Sequence, residues 1–222
     1  MSTQKSNQNE FIQFALAAKV LSFGEFKTKA GRLSPYFFNA GGFNDGECLS
    51  SLGRYYATAL KESNINYDML FGPAYKGITL AAATAIALAD SGHNVPYAYN
   101  RKELKDHGEG GSLVGAHVKG RVVIVDDVIS AGTSVRESVK LIRSAGAEPA
   151  AVLIALDRME KSGTASEIGD KSAVQAVEQE FGLPVIAIAN LMDLMAFLMA
   201  SSNTEFTNYL PAVKTYREKY GI

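Results

Sequence analysis

The sequence predicts an α/β fold, a mostly parallel sheet flanked by helices with a small N-terminal hood, and three observations carry that prediction. Continuous apolar runs alternate with amphipathic stretches: Tyr67 to Gly72 before Gly77 to Ala89, Val95 to Tyr99, Val122 to Asp127 before Ser134 to Ala145, Ala150 to Leu156, and Val185 to Ala189 before Leu191 to Met199. Apolar runs without polar alternation suit strands buried on both faces, as in a helix-covered parallel sheet. After Thr133, residues Val135, Val139 and Ile142 recur at helical spacing, and Gly146 stands where a helix end takes a left-handed glycine. The first 45 residues read differently. A helix-like segment, Phe11 to Leu21, precedes Gly31 to Gly42, an aromatic stretch punctuated by Gly and Pro that fits hairpins or loops packed on the sheet as a hood. Residues 101 to 120 have little apolar content and carry Gly108, Gly110, Gly111, Gly115 and Gly120, so a mobile loop is expected there; Met159 to Asp170 is expected to be a polar surface loop.

Composition bounds the ligand. A chain of 222 residues, 47% hydrophobic and 20% charged, suits one large domain, residues 1–222, with a single core. A net charge of -1 supplies no basic field for nucleic acid, so an anionic ligand must be small and held by local groups. Cys48 is the single cysteine, which excludes an internal disulfide and a multi-thiolate metal site and suits a reducing compartment. The polar run Met1 to Glu10 lacks the apolar core of a secretion signal, and the apolar stretch Pro184 to Ala200 is broken by Asn190 and Asp193. A cytoplasmic protein that does not span a membrane is expected.

The segment Val122-Val-Ile-Val-Asp126-Asp127-Val128-Ile129-Ser130-Ala131-Gly132-Thr133-Ser134 carries most of the chemistry. It reads as a buried strand that delivers two carboxylates at its C-terminal end, then a small-residue turn, then a helix start, the place where open α/β sheets bind ligands. Small residues let a backbone approach closely, and free N–H groups with the hydroxyls of Ser130, Thr133 and Ser134 can surround a phosphate. The carboxylates cannot favour the phosphate, but they suit ribose hydroxyls or a metal-bound water. A phosphorylated sugar diol satisfies both halves.

This segment resembles the signature of type I phosphoribosyltransferases, which bind phosphoribosyl pyrophosphate (PRPP). The resemblance implies that family's core and PRPP contacts along Asp126, Asp127, Val128, Ile129, Ser130, Ala131, Gly132, Thr133 and Ser134, with Ser130 where Thr is usual. Phe71-Gly72-Pro-Ala-Tyr75-Lys76-Gly77 has the glycine spacing of a P-loop, yet Ile78 stands where that motif requires Lys. It resembles instead the diphosphate loop of the same family, with Tyr75, Lys76 and backbone amides meeting the diphosphate. The resemblance also implies a strained Ala74–Tyr75 peptide, cis being one form of it.

Two further segments resemble orotate phosphoribosyltransferases in particular. Arg101-Lys102-Glu-Leu-Lys105-Asp-His107 on a glycine-hinged stretch is similar to the catalytic loop that closes over a neighbouring subunit's site, which implies a homodimer with shared sites. The run Lys29 to Asn39 is similar to the hood segment that receives orotate, implying contacts from Lys29, Phe37 and Phe38, with Lys29 offering its charge to the orotate carboxylate or to the PRPP diphosphate and with Ser130 and Arg158 completing the base site.

The activity implied is transfer of ribose 5-phosphate from PRPP to orotate, giving orotidine 5′-monophosphate and pyrophosphate, a step of pyrimidine nucleotide synthesis. Catalysis would rest on positioning and charge, with Asp126 and Asp127 at the ribose diol and Arg101, Lys102, Lys105 and His107 at the leaving group. Mg²⁺ would arrive with PRPP, reaching Asp126 or Asp127 through water rather than through a direct protein cage. A purine phosphoribosyltransferase and a PRPP-sensing regulator without turnover remain as alternatives.

Overall fold

The computed structural model describes residues 3–105 and 111–222. Helix α1 (Thr3–Ala17) leads into a hairpin of β1 (Leu21–Lys27) and β2 (Leu33–Phe38), then a 3-10 turn at Ala40–Gly42 and helix α2 (Gly46–Glu62). The core continues through β3 (Met69–Gly72), α3 (Lys76–Asp90), β4 (Tyr97–Lys105), β5 (Gly111–Gly115), β6 (Arg121–Asp126), α4 (Thr133–Ser144) and β7 (Glu148–Asp157). A short hairpin, β8 (Lys161–Gly163) and β9 (Ile168–Ser172), precedes α5 (Ala173–Phe181), β10 (Val185–Asn190), α6 (Leu191–Ala200), α7 (Thr204–Thr207) and α8 (Leu210–Tyr220).

Among the described residues the central sheet runs β10-β7-β6-β3-β4-β5, parallel throughout except for the antiparallel β4–β5 edge pair. Strand alternation gives it two buried faces. Val123 and Val125 of β6 join Leu70, Leu153, the inner faces of α1, α2, α3, α6 and α8, and the hood; Val122 and Ile124 join Phe71, Ile154 and the apolar sides of α4 and α5. The expected α/β class, the flanking helices and the hood are all present.

Three segments differ from the sequence expectation. The first helix begins at Thr3 and ends at Ala17, so Leu21 belongs to β1 rather than to the helix. It ends because Lys19 takes φ 56 and the Val20 N–H donates back to the Ala15 carbonyl, a termination usually made by glycine and therefore unmarked here. Residues 101–105 and 111–115 form strands instead of loop, since pairing with each other supplies their backbone hydrogen bonds without any need for an apolar face. The stretch 159–170 contains the β8–β9 hairpin, held by a residue far away in sequence: buried Arg32 donates to the carbonyls of Lys161, Ser162, Gly163 and Thr164. Helix α2 begins at an Asp45 cap and buries Leu52, Tyr56 and Leu60 at four-residue spacing; it covers the sheet beneath the β6 end.

Candidate active site

The strand order places β4 on one side of β3 and β6 on the other, so the chain direction across the sheet reverses between β3 and β6. The two connections leaving the C-terminal ends of these neighbours therefore diverge and open a crevice. One connection is Pro73 to Tyr75, entering α3; the other is Asp127 to Gly132, entering α4.

Strand β6 is apolar and buried from Val122 through Val125, and it ends on two buried carboxylates. Asp126 accepts from Ser134 Oγ at 2.8 Å and from the Asp127 amide at 2.9 Å. Burial first, and the neighbouring Asp127 charge second, push its pKa up to about 6. Asp127 accepts instead from Lys76 Nζ at 2.6 Å, across the crevice from the α3 side. The two acids, equally buried, thus differ in partner: one is tied into its own turn, the other bridges the two loops.

The turn itself is open toward solvent. Ser130, Ala131 and Thr133 are exposed, while Val128 and Ile129 pack their side chains against opposite core clusters. Gly132 sits at φ 73, where a side chain would be strained, and no side chain caps the start of α4. The first amides of α4 are left without a side-chain acceptor, which is the arrangement that receives an anion.

Across the crevice the Ala74–Tyr75 peptide is cis. The Ala74 amide donates to Asn100 Oδ1 at 2.8 Å, which ties this loop to β4. Tyr75 is exposed, with Lys102 Nζ 5.2 Å from its ring centroid, so β4 and the α3 loop present Tyr75, Lys76 and Lys102 together. Gly72 and Gly77 are required by contact: a Cβ on Gly72 would lie 2.1 Å from the Gly77 carbonyl oxygen, and one on Gly77 would lie 2.8 Å from that of Val125. Arg101 is half-buried on the same strand. His107 lies outside the described residues, as does the Lys105 side chain.

The hood residues divide by strand parity. Ser34, Tyr36 and Phe38 point inward; Phe37, on the other face of β2, is exposed and stacks on Phe26 at 5.4 Å. Phe38 is in the core, so of the aromatic pair only Phe37 offers a ring to solvent. Lys29 is exposed at the tip of the β1–β2 turn. Arg158, just past β7, reaches the inward face: it donates to Ser34 Oγ at 3.0 Å and lies 4.3 Å over the Tyr36 ring. Arg158 and the Phe37 ring therefore stand on opposite faces of the hairpin. Burial alone would lower the Arg158 pKa, but Tyr36 and Glu160 outweigh it and push it up.

Several supporting residues lie outside the motifs. Tyr56, fully buried on α2, donates to the Asp126 carbonyl at 2.8 Å, and Arg136 donates to the Ala131 carbonyl at 2.7 Å while paired with Glu180. A helical period marks Tyr56 as buried, but nothing local marks its hydroxyl as a support for the acidic turn.

The phosphoribosyl transferase domain family model matches residues 47–183, which contain both loops. An orotate phosphoribosyltransferase of Polynucleobacter asymbioticus is 81% identical over 222 residues, all of both chains. The chain belongs to the orotate phosphoribosyltransferase family. That of Cupriavidus metallidurans is 65% identical over 100% of this chain and 98% of its own. The crystal structure of the Francisella tularensis member superposes with a TM-score of 0.85 at 41% identity, covering 96% of this chain and 100% of that one. The family shares the type I phosphoribosyltransferase fold, so the core expected from the acidic turn is the one found.

Proposed function

We propose that the chain transfers ribose 5-phosphate from PRPP to orotate, yielding orotidine 5′-monophosphate and pyrophosphate for pyrimidine synthesis, and that the crevice between β3 and β6 is the site of that transfer. One observation carries the site assignment: the acidic pair and the uncapped start of α4 face the Tyr75–Lys76 loop, so diol, 5′-phosphate and diphosphate each meet a group of suitable charge.

In this reading the orotate N1 attacks the ribosyl carbon as the bond to diphosphate breaks, with the departing electron pair taken by the diphosphate oxygen and the N1 proton released to the leaving group or to water. Asp126 and Asp127 accept from the ribose hydroxyls close to the developing positive charge, and the α4 amides hold the 5′-phosphate. Lys76 exchanges Asp127 for the diphosphate, joined by Tyr75, Arg101 and Lys102, and by Lys105 and His107. Ser130 and Arg158 meet the base, and Lys29 its carboxylate or the diphosphate; Phe38 lies in the core on the Arg158 face of the hairpin and Phe37 faces the opposite side, so neither ring closes over the base. Losing one such charge contact is expected to raise the barrier by about 3 kcal/mol.

The donor set also suits Mg²⁺. No cluster of three or more His, Cys, Asp or Glu occurs among the described residues, and Asp126 already holds two partners and Asp127 one, which leaves their remaining oxygen capacity for a metal-bound water rather than for a cage. Asp126 and Asp127 would hold Mg²⁺ through water, and the metal would supply charge neutralisation of the leaving group. A homodimer, with the 101–120 segment of each subunit serving its partner, and a cytosolic location complete the proposal. No described helix is long and apolar enough to cross a membrane.

The test is base choice. Purified protein incubated with PRPP, Mg²⁺ and orotate, uracil or hypoxanthine in turn is expected to consume orotate absorbance alone. Turnover of hypoxanthine without orotate overturns the base assignment, and PRPP binding without turnover of any base makes the protein a sensor.

A further inference from the structure

We propose that Glu160 is a positioning residue for orotate recognition, holding two nitrogens of the Arg158 guanidinium so that the third is presented to the base. The inference rests on Arg158 being a base contact.

Glu160 Oε1 accepts from Arg158 Nε at 2.8 Å and lies 2.5 Å from Nη2, while Nη2 also reaches Ser34 Oγ at 3.0 Å. Nη1 makes no hydrogen bond among the described residues. The guanidinium plane is fixed by its stack over Tyr36, so rotation about the pair is blocked on one face as well as along one edge. The side chains are only 20% and 16% exposed, which makes a loose surface pair an inadequate description.

Glu160 is itself held by contacts from distant parts of the chain. Its backbone bridges to Gly221, the Ile222 amide donates to the adjacent Met159 carbonyl at 3.0 Å, and Tyr36 Oη lies 3.5 Å from Oε1. Between the two charged residues Met159 takes φ 50, a left-handed conformation that costs a non-glycine residue energy. The Met159 amide donates to Asp157 Oδ1, which braces that turn from the end of β7. The buried Tyr216 hydroxyl adjoins the same guanidinium and Ser34, without a hydrogen bond of good geometry to either.

A buried ion pair is seldom the most stable filling for such a space, since apolar residues of equal volume do as well. Its use here is geometric. With the Nε edge capped, Arg158 cannot clasp a carboxylate through that fork; Nη1 remains as a single directed donor whose charge Glu160 largely cancels. Such a donor suits a neutral acceptor on the pyrimidine ring.

The experiment is steady-state kinetics with each substrate varied against a saturating amount of the other, for Arg158→Ala, Glu160→Ala, Glu160→Gln and the Arg158→Ala/Glu160→Ala double variant. Glu160→Ala is expected to raise KM for orotate about 10-fold or more with KM for PRPP little changed, as loss of a supporting partner does. Glu160→Gln keeps the acceptor and recovers part of that loss. The double variant matches Arg158→Ala, because Glu160 acts only through Arg158. Losses that multiply in the double variant, or an equal rise in both KM values, overturn the positioning role while leaving Arg158 as a base contact. An Arg158→Ala enzyme with unchanged KM for orotate removes Arg158 from the base site, and the positioning role with it.

Discussion

Two adjacent aspartates with the same side chain are made into different groups by one turn of backbone. Asp126 is desolvated and bonded to Ser134 and to the next amide; Asp127 is bonded to Lys76 across the crevice. Because Asp126 is raised from 3.8 to about 6, the folded chain binds its proton more tightly than the unfolded chain does. Between those values the folded state holds more protons, so this group lowers stability as pH rises through the window and leaves a costly charge at neutral pH. Asp126→Asn is therefore expected to flatten the stability profile between about pH 4 and 6 and to stabilise the free protein at pH 7 by on the order of 1–3 kcal/mol. The same change should lower kcat/KM by roughly 100-fold, which thermal melts and assays on one preparation would register together. Stability falling alongside activity at pH 7 would show that the Asp126 charge is satisfied in the fold.

The elements explain how such a turn is held still. The β6 end is supported from beneath by Tyr56 on α2, its outer rim by Arg136 on α4, and the opposite loop by Asn100 on β4. Gly72 and Gly77 let α3 start against the sheet, and any side chain there would drive the two loops apart. Removing the Tyr56 hydroxyl leaves the ring packing intact and takes away one buried donor. Tyr56→Phe is expected to cost about 1 kcal/mol in denaturant unfolding and to raise KM for PRPP more than KM for orotate. A rise in KM for orotate alone would place the Tyr56 support on the wrong loop. At the hood, Arg32 performs the corresponding task, joining the base of β2 to the β8–β9 hairpin through four successive carbonyls and stacking on Tyr220 at 4.7 Å.

At the scale of the molecule, the sheet gathers groups from both sides of its reversal point, while Arg101 and Lys102 lie on β4, one strand in from the sheet edge. Beyond Tyr99, where β4 leaves β3, the described residues of β4 and β5 pair only with each other, a geometry suited to reaching a second subunit. If sites are shared, mixing inactive Lys105→Ala and Asp127→Ala proteins under subunit exchange should restore up to about a quarter of the wild-type activity, because half the dimers then contain one intact site of two. Absence of any recovery would mean each subunit closes its own site.

What could be read along the chain was whatever consecutive residues decide together: the alternation of buried strands and helices, the acidic turn with its glycine, and the diphosphate loop. In these segments spacing and residue type act over a few bonds, so the pattern survives in one dimension. The hairpins at 101–115 and 161–172 were legible only as polar stretches, since their order comes from partners rather than from periodicity. Tyr56 meets Asp126 across 70 residues, Asn100 meets Ala74 across 26, and Tyr36 meets Glu160 across 124. Each partner is an ordinary tyrosine, asparagine or glutamate until the sheet brings it into place. The chemistry of the turn thus belonged to the sequence, whereas the supports that hold it, the opposite facing of Phe37 and Arg158, and the clamp on Arg158 were decided by the tertiary structure, because a hydrogen bond depends on distance in space and the chain encodes that distance only through the whole fold.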